Sequence, residues 1–299
     1  MAVYRKTYRP YEGPLTPEWS RFLIIPRYAF EEMRRKRFLA LFYLASFFYP
    51  LVCAIIIYVV HNLSVFSAVG LPQPKALAIN AGFYLHLLGF QSMLAFFMAS
   101  FVGPGLISPD LMNNAMPLYL SRPFSRAEYV AGKASVLLIL LSLMTWIPGV
   151  LLFAFQGYFE GAGWVASNLR IPAGLFFGAW IWILVLTLLA LALSAWVKWK
   201  PVAGALLFGV FFVAAGFGGV INTVLRTNWG HLINISHLIG TVWITLFEEP
   251  VRRGAGAVFF RVARGEGIPL WACWASLIGI CAACLWLLGR KIHGVEVSR

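Results

Sequence analysis

Residues 172–197 read PAGLFFGAWIWILVLTLLALALSAWV, a run with no Asp, Glu, Lys or Arg. A bilayer core about 30 Å thick needs roughly 20 helical residues to cross it. Hydrocarbon offers no hydrogen bonds to backbone groups, so each must be satisfied inside the segment, and the run predicts a membrane-spanning helix. Pro172 stands where a first helical turn tolerates proline. Five further stretches have the same character: 38–60, 79–102, 134–155, 202–221 and 270–289. Short segments alternating apolar and polar residues, the pattern of an outer-membrane barrel, are missing. The chain is therefore expected to be an all-α polytopic membrane protein with six spans.

Composition agrees. Of 299 residues, 61% are hydrophobic and 12% charged, too few charges to cover a soluble domain of this length. The net charge of +13 invites a nucleic-acid reading, but its distribution argues against one. Arg5, Lys6, Arg9, Arg21, Arg27, Arg34, Arg35, Lys36 and Arg37 place nine of the 24 basic residues ahead of the first span. Charge in that position sets topology and meets anionic lipid. The polar start of the chain and the late, long first apolar run do not fit a cleavable signal peptide. The reading is a multi-pass protein of a bacterial inner (cytoplasmic) membrane, N-terminus cytoplasmic, with lipid rather than nucleic acid as partner.

Residues 1–37 divide from a transmembrane domain, 38–299. From Pro26 onward, Ala29, Phe30 and Met33 share one helical face, while Glu31, Glu32, Arg34 and Arg35 point elsewhere. That pattern predicts an amphipathic interfacial (elbow) helix in the headgroup plane. Pro50 interrupts span one, and Pro148-Gly149 interrupts span three. Gly103-Pro104-Gly105 should end span two sharply and open a polar connector, 103–133, with a short helix in its centre. His86 in span two is expected to bond a neighbouring helix.

In span five, Ala214/Gly218 and Ala215/Gly219 have the small-xxx-small spacing that lets two helices approach closely, within or between subunits. Residues 222–268 stay open: 229–247 could be a seventh span, or part of a re-entrant or interfacial pair of helices. Six spans split the basic residues 17 inside to 7 outside, and seven spans 18 to 6, which does not decide. The polar His231, Asn234, Ser236 and His237 favour the re-entrant or interfacial form, because protein can shield them there.

Chemistry-bearing motifs are sparse. The phosphate loop Gly-x-x-x-x-Gly-Lys-Ser/Thr is missing, so ATP hydrolysis by that device is excluded, as are His-Glu-x-x-His and Gly-x-Ser-x-Gly chemistry. The spans carry no carboxylate for a proton relay. Cys53, Cys273, Cys281 and Cys284 read as small apolar filler, with no metal partners beside them. The catalytic, cofactor and metal expectations are all negative.

The informative segment is the connector: Gly105-Leu106-Ile107-Ser108-Pro109-Asp110, then 118–133, LYLSRPFSRAEYVAGK. Here the sequence resembles the ABC-2-type permease family, through Leu120, Ser121, Pro123, Ser125, Arg126, Tyr129, Gly132 and Lys133, with Asp110 at the acidic position where Glu is more usual. The resemblance implies a transport subunit, expected to export, that pairs with a second permease copy (homodimer or heterodimer). It also implies a separate ABC nucleotide-binding subunit that holds ATP and Mg and grips the connector from the cytosol. Ser108, Asp110, Arg122, Pro123, Ser125, Arg126 and Lys133 are then the coupling residues. Arg122 and Arg126 would offer directional hydrogen bonds to that partner, although both, like Lys133, also fit simple positive-inside charge or phosphate anchoring. The alternatives are a non-transporting scaffold or anchor subunit and a membrane-embedded lipid-modifying enzyme.

Overall fold

The computed structural model describes residues 18–62, 79–115, 125–248, 260 and 268–292. These residues are helical almost throughout. A short 3-10 turn, Glu18–Leu23, leads into α1 (Ile24–Arg35). Then come α2 (Arg37–Ser46) and α3 (Phe48–His61), followed by α4 (Ala81–Val102), α5 (Pro104–Met112), α6 (Arg126–Met144) and α7 (Trp146–Glu160). After the short α8 (Ala162–Ser167) lie α9 (Arg170–Trp196) and α10 (Lys200–Leu225). A second 3-10 turn (Trp229–Ile233), α11 (Ile235–Phe247) and α12 (Leu270–Lys291) complete the order.

Six helical stretches are long and apolar enough to cross a membrane, the architecture of a multi-pass membrane protein: 37–61, 81–112, 126–160, 170–196, 200–225 and 270–291. Two of the breaks within them have proline causes. Pro50 has no N–H for the carbonyl of Ser46, and α2 gives way to α3 at Phe47. The freed Ser46 oxygen accepts the Gln91 side-chain amide of α4 at 3.1 Å, a repair by a neighbouring helix of the kind membrane helices require. Pro148 likewise follows the α6–α7 break at Thr145, whose hydroxyl donates back to Leu141 O at 2.8 Å.

α9 is the hub. It packs against α4, α5, α6, α7, α10, α11 and α12, and 67% of its apolar window is buried, against 22% for 37–61 and for α10. Trp182 at its middle is wholly buried, sits among Phe96 and Phe211, and donates its indole N–H to Ser92 O. α10 turns Val202, Phe212, Val213, Phe217, Val220 and Val224 outward, an apolar face normal for a helix that meets lipid.

α11, with 13 residues, is too short to cross a bilayer alone and is largely buried among α4, α9, α10 and α12. Trp243 anchors it, donating to Gly178 O at 2.8 Å. The described residues thus carry six spans rather than seven. His86 differs from expectation: it lies exposed on α4 and makes no hydrogen bond among the described residues.

Candidate functional site

The connector is built differently from its sequence reading. Gly103 keeps helical dihedrals (φ −54°, ψ −49°), so helix resumes at once at Pro104 as α5. The interruption is chemical rather than angular, because Pro104 lacks the amide that would continue the ladder to Ser100. The other end also differs: α6 begins at Arg126, not at residue 134. Within the expected connector, residues 104–112 and 126–133 are therefore helical extensions of two spans.

Ser125 explains the early start of α6. Its hydroxyl accepts the Glu128 amide at 3.2 Å, and the Glu128 carboxylate accepts the Ser125 amide at 2.6 Å. This capping box satisfies two otherwise unpaired backbone donors. One turn on, Tyr129 and Lys133 share a face with i,i+4 spacing. Both reach Asp110 near the C-terminus of α5: the Tyr129 hydroxyl donates to Asp110 Oδ2 at 2.7 Å, and Lys133 Nζ lies 2.8 Å from the same oxygen. Lys133 is only 8% exposed. Its amine lies against Asp110 between α5 and α6.

The start of α5 is held from another side. Ser194 of α9 accepts the amides of Ile107 and Ser108 at 3.1 and 3.0 Å and donates to Pro104 O at 3.0 Å. The Ser108 hydroxyl donates to Lys198 O, just beyond the end of α9. α1 closes the far side of α6. A Cβ on Gly132 would lie 2.6 Å from Ile25 Cδ1 and 3.0 Å from Phe22 O, so an added methyl would displace Ile25 and press on the Phe22 carbonyl. Ala29, Phe30 and Met33 face the protein, while Glu31, Glu32, Arg34 and Arg35 are exposed, as the periodicity predicts.

Electrostatically this end of the bundle is basic. The Glu32 carboxyl lies below the usual glutamate range, first because Lys36 bonds it at 2.7 Å, with Lys200 and Lys133 adding to the effect. Lys291 sits 5.2 Å from the Trp196 ring and Arg290 5.3 Å from the Trp286 ring. The opposite end carries its own pair: His61 Nε2 and Glu160 Oε1 at 2.9 Å join α3 to α7.

Of the residues named from sequence, Ser108, Asp110 and Lys133 come together around α5, and Ser125 forms the cap of α6. Arg126 is exposed on the first turn of α6, with no ion pair among the described residues. Arg122 and Pro123 lie outside the described residues. Of the four small residues, Gly218 is buried, and a Cβ there would meet Gly230 O of this same chain at 2.4 Å. Gly219 has open space within 4 Å of such a Cβ, and Ala214 and Ala215 are half-buried. Sequence reading missed Ser194, one serine in a long apolar run, and did not pair Tyr129 with Asp110. The i,i+4 spacing of Tyr129 and Lys133 was the available signal. Comparison with protein-family models and with characterised proteins yields no match.

Proposed function

We propose that this chain is the membrane-spanning subunit of an ATP-driven ABC-2-type transporter, an exporter by family resemblance, and that α5 with the start of α6 is the lever through which a separate nucleotide-binding subunit acts. The observation that carries the reading is the joint hold on α5. Asp110, Tyr129 and Lys133 fix its far end and Ser194 holds it nearer its start, so a push on α5 passes into the helices packed around it. A chain without a phosphate loop needs such a handle if an external ATPase is to move it. Arg126, exposed and not ion-paired among the described residues, is the residue offered to that partner.

In this reading ATP and Mg reside in the partner. The end bearing α1 faces the cytosol of a bacterial inner membrane, α1 is the interfacial elbow helix, and the 3-10 turn with α11 is the re-entrant segment. A second permease copy completes the assembly. The buried, short α11 and the basic character of the α1 end support these assignments.

The test is mild-detergent purification of the full chain. Recovery of an ATP-binding partner at about 1:1 with nucleotide-dependent transport in vesicles is expected; the partner-to-chain ratio follows from one grip per connector. R126E should insert normally yet uncouple hydrolysis from transport. Surface labelling that places Ser125 and Arg126 on the side away from the cytosol refutes the proposal, since no ATPase could reach them. A stable complex without nucleotide-dependent transport would favour a scaffold, and turnover by the isolated chain an enzyme.

A further inference from the structure

Ser194 is fully buried in α9, and its hydrogen-bonding capacity is committed to another helix. A serine hydroxyl has one proton and two lone pairs. Here the proton goes to Pro104 O and the lone pairs accept from Ile107 and Ser108, so all three are directed at α5. Ile107 and Ser108 are the fourth and fifth residues of α5, beyond the first-turn amides that have no carbonyl four residues back. Ser194 meets them from a different span, which ties the second turn of α5 to α9.

Neighbouring turns of α9 reinforce the contact. A Cβ on Gly103 would lie 2.8 Å from Ala190 Cβ, one turn before Ser194. Four residues after it, just beyond the end of α9, Lys198 O accepts from the Ser108 hydroxyl. α10 closes from the other side: a Cβ on Gly204 would meet Ser100 O at 3.0 Å and Pro104 Cγ at 3.6 Å. Towards α4, by contrast, the backbone ladder lacks the Pro104 amide, and helices bend where the ladder is interrupted. α5 thus follows the preceding helix across a missing ladder bond and is hydrogen-bonded to the helix that lies at the centre of the bundle.

We infer that Ser194 is the positioning residue that passes displacement of α5 into α9, so that the stroke enters the bundle through its central helix rather than along the span that leads into the connector. The nucleotide-driven half of this inference rests on the permease reading; the bonding half does not.

The test uses the full chain with its co-purified ATPase in lipid nanodiscs, comparing amide exchange with and without ATP and vanadate. The variants are S194A, S108A and, as a control, S135A, whose hydroxyl bonds Gly132 O in its own helix. Without nucleotide, S194A should exchange roughly tenfold faster at Ile107 and Ser108 than wild type. With nucleotide trapped, residues 190–199 of wild type should change protection. S194A should lose that change, S108A should lose part of it, and S135A should keep it.

Unaltered exchange at 107 and 108 in S194A, or a full nucleotide response of 190–199 in S194A, overturns the inference and leaves the permease reading standing. An equal loss in S135A also overturns it, because general softening would then explain the effect. Should S194A fail to accumulate, S108A decides by the same criterion. A wild-type complex whose residues 104–112 and 190–199 both ignore nucleotide overturns the permease reading and the nucleotide-driven inference with it, whatever S194A does in the absence of nucleotide.

Discussion

Removing the Asp110 carboxylate leaves Lys133 as a charged group in a nearly closed site. The pair is 2.8 Å apart, with side-chain exposures of 11% for Lys133 and 17% for Asp110. At an effective dielectric of about 20, unit charges at that separation attract by roughly 6 kcal/mol. Desolvation of both groups offsets much of this. Breaking one partner of a buried pair costs about 3–5 kcal/mol, and the residual exposure places Asp110→Ala near the lower end, at about 3 kcal/mol. Lys133→Met should cost less, since Asp110 keeps the Tyr129 hydroxyl as a donor. The double variant, with both charges removed, should recover part of the loss, giving a coupling energy of about 1–3 kcal/mol. Equilibrium unfolding of the four proteins in mixed micelles measures it. Additivity within about 0.5 kcal/mol refutes the claim that this pair locks α5 to α6, however short the contact.

Ser125→Ala removes half of the capping box and should cost about 1 kcal/mol, seen as faster amide exchange over 126–129 with the remainder of α6 unchanged. Gly132→Ala places a methyl against Ile25 and the Phe22 carbonyl; trypsin should then cut faster at Arg27 and Arg34, and Ile25→Ala should restore part of the resistance. Gly218→Ala must part α10 from the backbone of Gly230, a loss of about 2 kcal/mol or more, whereas Gly219→Ala, with open space around it, should be neutral or stabilising by up to about 1 kcal/mol; thermal unfolding separates the two. The lowered Glu32 carboxyl sets a pH direction: its contribution is complete above the ordinary value of 4.5 and is lost as pH falls through the lower folded value. Acid should therefore loosen α1 in wild type, measured by the same protease, and Glu32→Gln should flatten that dependence.

The spans were legible because lipid leaves the chain few options. A run such as 172–197 must be helical, and its observed helix, Arg170–Trp196, departs from the apolar run by one or two residues. Helix ends read less well where polar residues continue a helix beyond the apolar stretch. α6 starts at Arg126 because Ser125 and Glu128 cap it. Hydropathy cannot register that, although the Ser-x-x-Glu spacing could have. The connector was misjudged for a similar reason. Gly-Pro-Gly reads as a stop, yet proline at a first helical position starts a helix as readily as it ends one.

The breaks that proline introduces are where polar side chains become necessary, and this accounts for both the readable and the unreadable parts of the site. Pro50 frees the Ser46 carbonyl, which Gln91 takes; in the helix that Pro104 begins, Ser194 meets the Ile107 and Ser108 amides and the Pro104 carbonyl. The proline is visible in sequence, but the polar partner beside it comes from wherever packing brings a hydroxyl or amide, 45 residues away in one case and 86 or 87 in the other. Gln91 and Ser194 are therefore inconspicuous in their own helices and acquire a role only through the fold. Asp110 and Lys133 differ in kind, since they charge a place that lipid would exclude and a neutral hydrogen bond could have held. A buried ion pair is weak evidence for stability in itself. Between the proline-started α5 and the capped α6, this pair fixes one arrangement of the two helices. A rigid short helix can transmit displacement only if that arrangement is fixed.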